Sequence, residues 1–234
     1  MCVLLLSLKS CLSMNRVVQS EVKGHWLRLM LNRPSALNAV NTKVSQYGVY
    51  DLVTNVLKDN VKGVIGCGAG RAVAAGGDIR FMLNHILNDE MVTIEEYLRV
   101  EYQFYYLMHT LPIPSILLMP QITMGGGLGF SAGATCRIAT DRSRLAMPEV
   151  KIGFFADVAS SSWFQKLHPG SGKWMGLTGQ VLGGEEAMQI GLVTHLVDFE
   201  KFDQLVADIQ NSQFSEVENI ISHYARPVGA CKYK

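Results

Sequence analysis

The chain has 234 residues, 48% hydrophobic and 18% charged, enough to bury the core of one globular domain and little more. A formal net charge of +1 without any Lys/Arg run offers no field to a nucleic-acid backbone, so nucleic acid is excluded as an expected partner. Five scattered cysteines with no CxxC pair and six histidines with no HExxH-like spacing support neither a disulfide framework nor a metal site.

Residues 1–20 contain Lys9, Arg16, four serines and no acid, the bias of a mitochondrial presequence. They are set apart as a targeting segment or an extension, with a secretory run at 3–8 or a start at Met14 as the other readings, and 21–234 is taken as the core domain. No later stretch reaches the roughly 20 apolar residues that span a bilayer, so no membrane partner is expected.

A β-rich segment at 23–31 ends in Asn32-Arg33-Pro34, where proline stops a ladder. Val44, Tyr47, Tyr50, Val53, Val56 and Leu57 recur at the intervals that line one face of a helix. Residues 61–67 read as a short buried strand, and the pair Gly76-Gly77 then precedes Asp78, a residue suited to cap the next helix. A long helix is predicted over 93–109, broken by Leu111-Pro112-Ile113-Pro114. A strand at 115–119 leads to Met124-Gly125-Gly126-Gly127, and the small residues of 127–134 suggest a helix packed very tightly on a neighbour. A strand at 137–140, a loop from Met147-Pro148-Glu149 to Asp157, and helices near 185–190 and 199–209 complete an alternating pattern of class α/β.

Two constellations carry chemistry. The turns Ala75-Gly76-Gly77-Asp78 and Met124-Gly125-Gly126-Gly127 each lie between a strand and a helix, where glycine lets a backbone N–H approach a ligand. If they meet, their amides form an oxyanion hole; if not, they are simply tight turns. Glu149 and Asp157 stand eight residues apart among Met147, Pro148, Val150, Phe154 and Phe155. Two carboxylates in such surroundings suit acid–base or nucleophilic work, against a plain reading of one helix cap and one surface residue.

The blocks from Gly70 through Gly76-Gly77-Asp78-Ile79, Ile122-Thr123-Met124-Gly125-Gly126-Gly127 and Ala146-Met147-Pro148-Glu149 resemble, in order, the signatures of the enoyl-CoA hydratase/isomerase (crotonase) superfamily. Within it, Arg137-Ile138-Ala139-Thr140, Ile152-Gly153-Phe154, Asp157-Val158 and Leu177-Thr178-Gly179 resemble the 3-hydroxyisobutyryl-CoA hydrolases more than the hydratases. The resemblance covers about 29–197. It implies a crotonase (ClpP-like) fold, a spiral of β-β-α repeats, here with a shortened C-terminal helical region. It also implies an acyl-CoA substrate and no separate cofactor, with the N–H groups of Gly77 and Gly126 on the thioester carbonyl, Ala75, Gly76 and Gly125 beside them, and Glu149 and Asp157 as the acid pair. Glu101 falls where the hydrolases have an acid lining the acyl pocket, against a reading as a solvent-facing helix glutamate. Hydratases use a second glutamate where this chain has Gly129, which favours hydrolysis over hydration. The further implications are a short branched 3-hydroxyacyl group, valine breakdown and the mitochondrial matrix, with cytoplasm or peroxisome as alternatives and a homo-oligomer left open.

Several positions depart from the hydrolase pattern: Ala156 stands for a proline, Ala159 for a glycine, and Pro120-Gln121 for a small or polar pair. A non-catalytic acyl-CoA-binding paralogue therefore stays open. Gly129-Phe130-Ser131-Ala132-Gly133 also matches a GxSxG elbow, with Asp157 and His195 following in the order of a hydrolase triad. The string from Gly127 to Ala132, with Glu149 twenty residues past Gly129, imitates a dinucleotide fingerprint.

Overall fold

The computed structural model describes residues 16–56, 58 and 60–227. Strands β1 (Val18–Lys23) and β2 (Trp26–Leu31) pair antiparallel with Lys23 opposite Trp26, and Gly24 in the connection has a φ of 57°. The strand expected within 23–31 is thus β2, and β1, which pairs with it to make a hairpin, was not foreseen. Strand β1 starts inside the stretch set apart as 1–20, and residues 1–15 lie outside the described ones.

Helix α1 (Thr42–Val56) leads to β3 (Gly63–Gly68), which lies parallel to β2, and the short β4 (Ala72–Ala74) follows. The pattern repeats in β5 (Ser115–Met119) with β6 (Ile122–Met124), and in β7 (Cys136–Thr140) with β8 (Arg144–Ala146). Each first strand enters a large sheet, completed by β9 (His195–Val197), in the order β1-β2-β3-β5-β7-β9. Each second strand enters a small parallel sheet, β4-β6-β8. Helices follow β4 as α2 (Ile79–Leu87) and α3 (Met91–His109), β6 as α4 (Gly126–Ser131), and β8 as α5 (Ser160–Trp163). This is the spiral of β-β-α repeats that the resemblance implies. Because the turns after β4, β6 and β8 leave neighbouring strands of one small parallel sheet, the two glycine turns and Pro148-Glu149 are gathered at one end of it.

Strand residues alternate between two apolar layers, as a strand's period of two requires. Leu27, Leu29, Leu31, Leu117, Met119 and Ala139 pack on one face with Phe104, Tyr105 and Phe130. Ile65, Ile116, Leu118 and Ile138 pack on the other with α8 (Phe202–Asn211) and α9 (Val217–Tyr224), after α6 (Ser171–Thr178) and α7 (Gly184–Gln189). Helix α9 is absent from the sequence reading, yet its Val217 and Ile221 cover that second layer.

Helix α1 turns a different face inward from the one its periodicity suggests. Its buried residues are Val44, Ser45, Gly48, Asp51 and Leu52, while Tyr47, Tyr50 and Val53 are exposed and Leu57 is not described. The cause is close packing: Gly48 sits against the ring of Phe104 on α3, leaving no room for a larger side chain, and Asp51 pairs with Arg16 at 3.5 Å.

Candidate active site

After β4 the chain passes through Gly76 and Gly77, held there by Val40, whose N–H donates to the Gly76 oxygen at 2.9 Å and whose oxygen accepts from the Asp78 N–H at 2.7 Å. Asp78 then caps α2, its carboxylate accepting from the Phe81 N–H at 3.1 Å, as expected. After β6, Gly125 takes φ 49° and ψ −118°, a conformation that favours glycine, and α4 begins at Gly126. A methyl carbon built on Gly126 would lie 3.4 Å from the Gly76 carbonyl carbon and in collision with the Tyr105 hydroxyl, so the two turns touch. Among the described residues neither the Gly77 nor the Gly126 N–H has a hydrogen-bond partner.

Both turns, including Ala75, Gly76 and Gly125, line one cavity of about 280 Å³ together with Glu101, Glu149 and Asp157. Every residue expected for the thioester site thus lines one cavity, and Ser131 and His195 of the serine reading do not. Glu149 lies in a 3-10 turn (Glu149–Ile152) directly after Pro148 and is 9% exposed. Its Oε2 is buried without a hydrogen-bond partner, and Oε1 would be 2.5 Å from a side-chain carbon at Gly125. Burial, helped by the Asp157 charge and opposed by a backbone hydrogen bond, pushes its pKa up to about 7.

Asp157 is held by Tyr102 on α3, whose hydroxyl donates to Oδ2 at 2.9 Å. Burial raises its pKa, and the Tyr102 hydrogen bond works against that rise. Val158 and Ala159 follow with φ of 46° and 61°, left-handed values that cost energy for residues carrying a Cβ. Glu101 is 3% exposed, which overturns its reading as a solvent-facing helix residue. Its Oε1 accepts from Tyr105 at 2.6 Å, and burial lifts its pKa to about 7 against the lowering effect of Tyr105 and Tyr97. The tyrosines 97, 102 and 105 were missed from sequence, although Tyr97, Glu101 and Tyr105 at i, i+4 and i+8 share one helix face.

Ser131 is no nucleophile here. It is fully buried one turn inside α4, and its hydroxyl donates to the Gly127 oxygen at 2.8 Å, while His195 is occupied on β9 by Thr194 at 2.9 Å and Cys136 at 3.4 Å. The sharp turn that an elbow serine requires falls at Gly125, six residues earlier. The dinucleotide reading fails similarly, since Gly127 and Gly129 lie inside a helix and Glu149 lies in the cavity rather than at a strand end. Among the described residues no group of three or more His, Cys, Asp or Glu is placed to hold a metal ion.

A spiral of β-β-α repeats with two glycine turns on one cavity is the crotonase class of fold, and comparison with known proteins agrees. The enoyl-CoA hydratase/isomerase family profile matches residues 26–232, and the chain belongs to that family. Its relatives include the probable 3-hydroxyisobutyryl-CoA hydrolase 2 of Arabidopsis thaliana, 34% identical over 208 residues that make up 88% of this chain and 55% of the relative. The mitochondrial 3-hydroxyisobutyryl-CoA hydrolase of Dictyostelium discoideum is 34% identical over 87% of this chain and 56% of its own. The small ribosomal subunit protein mS47 of Schizosaccharomyces pombe is 33% identical over 91% and 50%. The chain thus spans about half the length of these relatives. Among solved structures, a carnitinyl-CoA dehydratase from Mycobacterium thermoresistibile superposes with a TM-score of 0.86 at 29% identity, covering 93% of this chain and 63% of the other.

Proposed function

We infer that this chain hydrolyses an acyl-coenzyme A thioester, of the short 3-hydroxyacyl class that 3-hydroxyisobutyryl-CoA represents. The observation that carries the reading is one cavity that holds the unpartnered amides of Gly77 and Gly126 together with Asp157 and with Glu149, whose Oε2 is buried without a hydrogen-bond partner. The amides of Gly77 and Gly126 would polarise the thioester carbonyl, and Glu149 would attack that carbon or take a proton from a water that does. Asp157 would orient the water or the substrate hydroxyl. The leaving thiolate, with a pKa near about 8.5 like cysteine, departs with little help from a general acid, so no cofactor beyond the substrate's own CoA is needed.

Hydration is disfavoured at the position where hydratases place their other glutamate. A side-chain carbon at Gly129 would come within 2.5 Å of Val158, and Gly129 is not among the residues lining the cavity. Several relatives are named as mitochondrial, which supports a mitochondrial location, and a place in valine breakdown would go with the 3-hydroxyisobutyryl-CoA class of substrate. A non-catalytic role is the second reading, favoured by the relative named as a ribosomal protein.

The test is free-thiol release on a panel of acyl-CoAs, with Glu149→Gln and Asp157→Asn beside the wild type. Release from a 3-hydroxyacyl-CoA that collapses in Glu149→Gln is expected. Release that survives the substitution removes Glu149 from the chemistry, and acyl-CoA binding without release by the wild type assigns the non-catalytic role.

A further inference from the structure

Helix α3 carries Tyr97, Glu101 and Tyr105 on one face, and all three are buried. The Tyr97 hydroxyl donates to the Val40 oxygen at 3.1 Å. That oxygen also accepts from the Asp78 N–H at 2.7 Å, and the Val40 N–H donates to the Gly76 oxygen at 2.9 Å, so Val40 grips the first glycine turn on both sides of Gly77. A side-chain carbon at Gly77 would lie 2.6 Å from the Tyr97 hydroxyl oxygen. At the second turn, the Tyr105 hydroxyl donates to Glu101 Oε1 at 2.6 Å and fills the space that a side chain at Gly126 would need. Glu101 Oε1 itself would stand 3.7 Å from a side-chain carbon at Gly77 and 3.2 Å from one at Gly126. Two hydroxyls and the carboxyl between them therefore back both turns, and Tyr105 does so without lining the cavity. Glycine turns have little stiffness of their own, whereas an amide aimed at a developing oxyanion has its full effect only if its direction is fixed beforehand.

We propose that Tyr97 and Tyr105 are positioning residues for the two glycine amides, Tyr97 aligning the Gly77 N–H through Val40 and Tyr105 aligning the Gly126 N–H by direct packing, with Glu101 as the strut between them. The proposal rests on the thioester reading of the same cavity, in which those amides hold the substrate carbonyl. Neither tyrosine takes part in the bond-breaking step. The Tyr97 hydrogen is spent on a backbone carbonyl and the Tyr105 hydrogen on Glu101, so both act through the direction of an amide.

The probe is the ketone analogue of butyryl-CoA, with a methylene in place of the thioester sulfur and an isotopically labelled carbonyl, which binds without being hydrolysed. Difference infrared spectroscopy of the full chain, at a saturation fixed by calorimetry, reads the carbonyl stretch. The stretch should fall on binding to the wild type, because two amides polarise it, and should fall less in Tyr97→Phe and in Tyr105→Phe. In both variants kcat for thiol release should drop, by up to about 10²-fold if an amide is misplaced by about 1 Å. The Kd of S-butyl-CoA, a thioether with no carbonyl to hold, should stay that of the wild type. A merely structural role would lower stability in urea and leave the bound stretch at its wild-type value, and that result overturns the proposal. Should one variant not fold, the other decides, since each tyrosine backs a different amide. A wild-type stretch that does not fall although the analogue binds sinks the thioester reading and the proposal with it. A stretch that responds as expected, without thiol release from any acyl-CoA, sinks hydrolysis and leaves the positioning role standing.

Discussion

Replacing Glu149 by glutamine removes a charge that the fold holds away from water, and the variant should gain stability as the pH rises. The folded state keeps the Glu149 proton up to about pH 7, against 4.5 for an ordinary glutamate. Between those values the folded state binds more protons than the unfolded one, so this group's contribution is fully present below 4.5 and is lost as the pH passes 7. A shift of that size corresponds to about 3 kcal/mol, and water in the open cavity trims it to about 2 to 3. Glutamine keeps the shape without the charge. Urea unfolding of both proteins should therefore show a stability difference that grows in the variant's favour by about 2 to 3 kcal/mol between pH 4.5 and 8, at unchanged m-value. Glu101 is present in both and cancels. A difference that stays flat, or grows the other way, would mean that Glu149 is not a desolvated carboxylate. The same ionisation bears on catalysis: if the carboxylate is the working form, thiol release should rise through about pH 7 rather than near 4.5.

Four further outcomes are expected. Gly126→Ala, whose new methyl would strike the Tyr105 hydroxyl and lie 3.2 Å from Glu101 Oε1, should cut thiol release by about 10² to 10³ while circular dichroism reports a folded protein. Ser131→Ala removes only a hydroxyl bonded within its own helix, so thiol release should persist; its collapse would restore the serine mechanism. Tyr102→Phe removes the hydrogen bond that holds the Asp157 pKa down, so the Asp157 carboxyl should titrate at higher pH in the variant, followed by the NMR shift of its carboxyl carbon in the free protein. Ala159→Gly should stabilise the fold by about 1 kcal/mol in urea melts, because a φ of 61° costs alanine what it does not cost glycine.

The parts of the fold that were legible in the sequence are those in which a local rule and the tertiary structure agree. The strand at Ser115–Met119 is buried along its whole length, so its unbroken apolar run reads correctly as a parallel-sheet strand. Asp78 at a helix start states its own role. Helix α1 is the opposite case, since the residue that seats it is a glycine: Gly48 admits the Phe104 ring, and a periodicity count does not register an absent side chain. The β1–β2 hairpin was half hidden because Val18 to Lys23 includes Gln19, Ser20 and Glu21, which carry no apolar signal.

At the site, the glycines and the two acids were placed through the resemblance of their motif blocks to the crotonase superfamily, whereas the tyrosines belong to no such block. Tyr97, Tyr102 and Tyr105 look like ordinary helix aromatics until α3 is laid against the cavity; there their hydroxyls reach Glu101 and Asp157. That contact gives the three acids different surroundings within one cavity. Glu101 and Asp157 accept hydrogen bonds from tyrosines, while Glu149 keeps a buried oxygen with no partner at all. A buried acceptor that nothing in the protein satisfies costs folding energy. On the proposed hydrolysis, that difference in hydrogen bonding favours Glu149 over Asp157 as the reacting group.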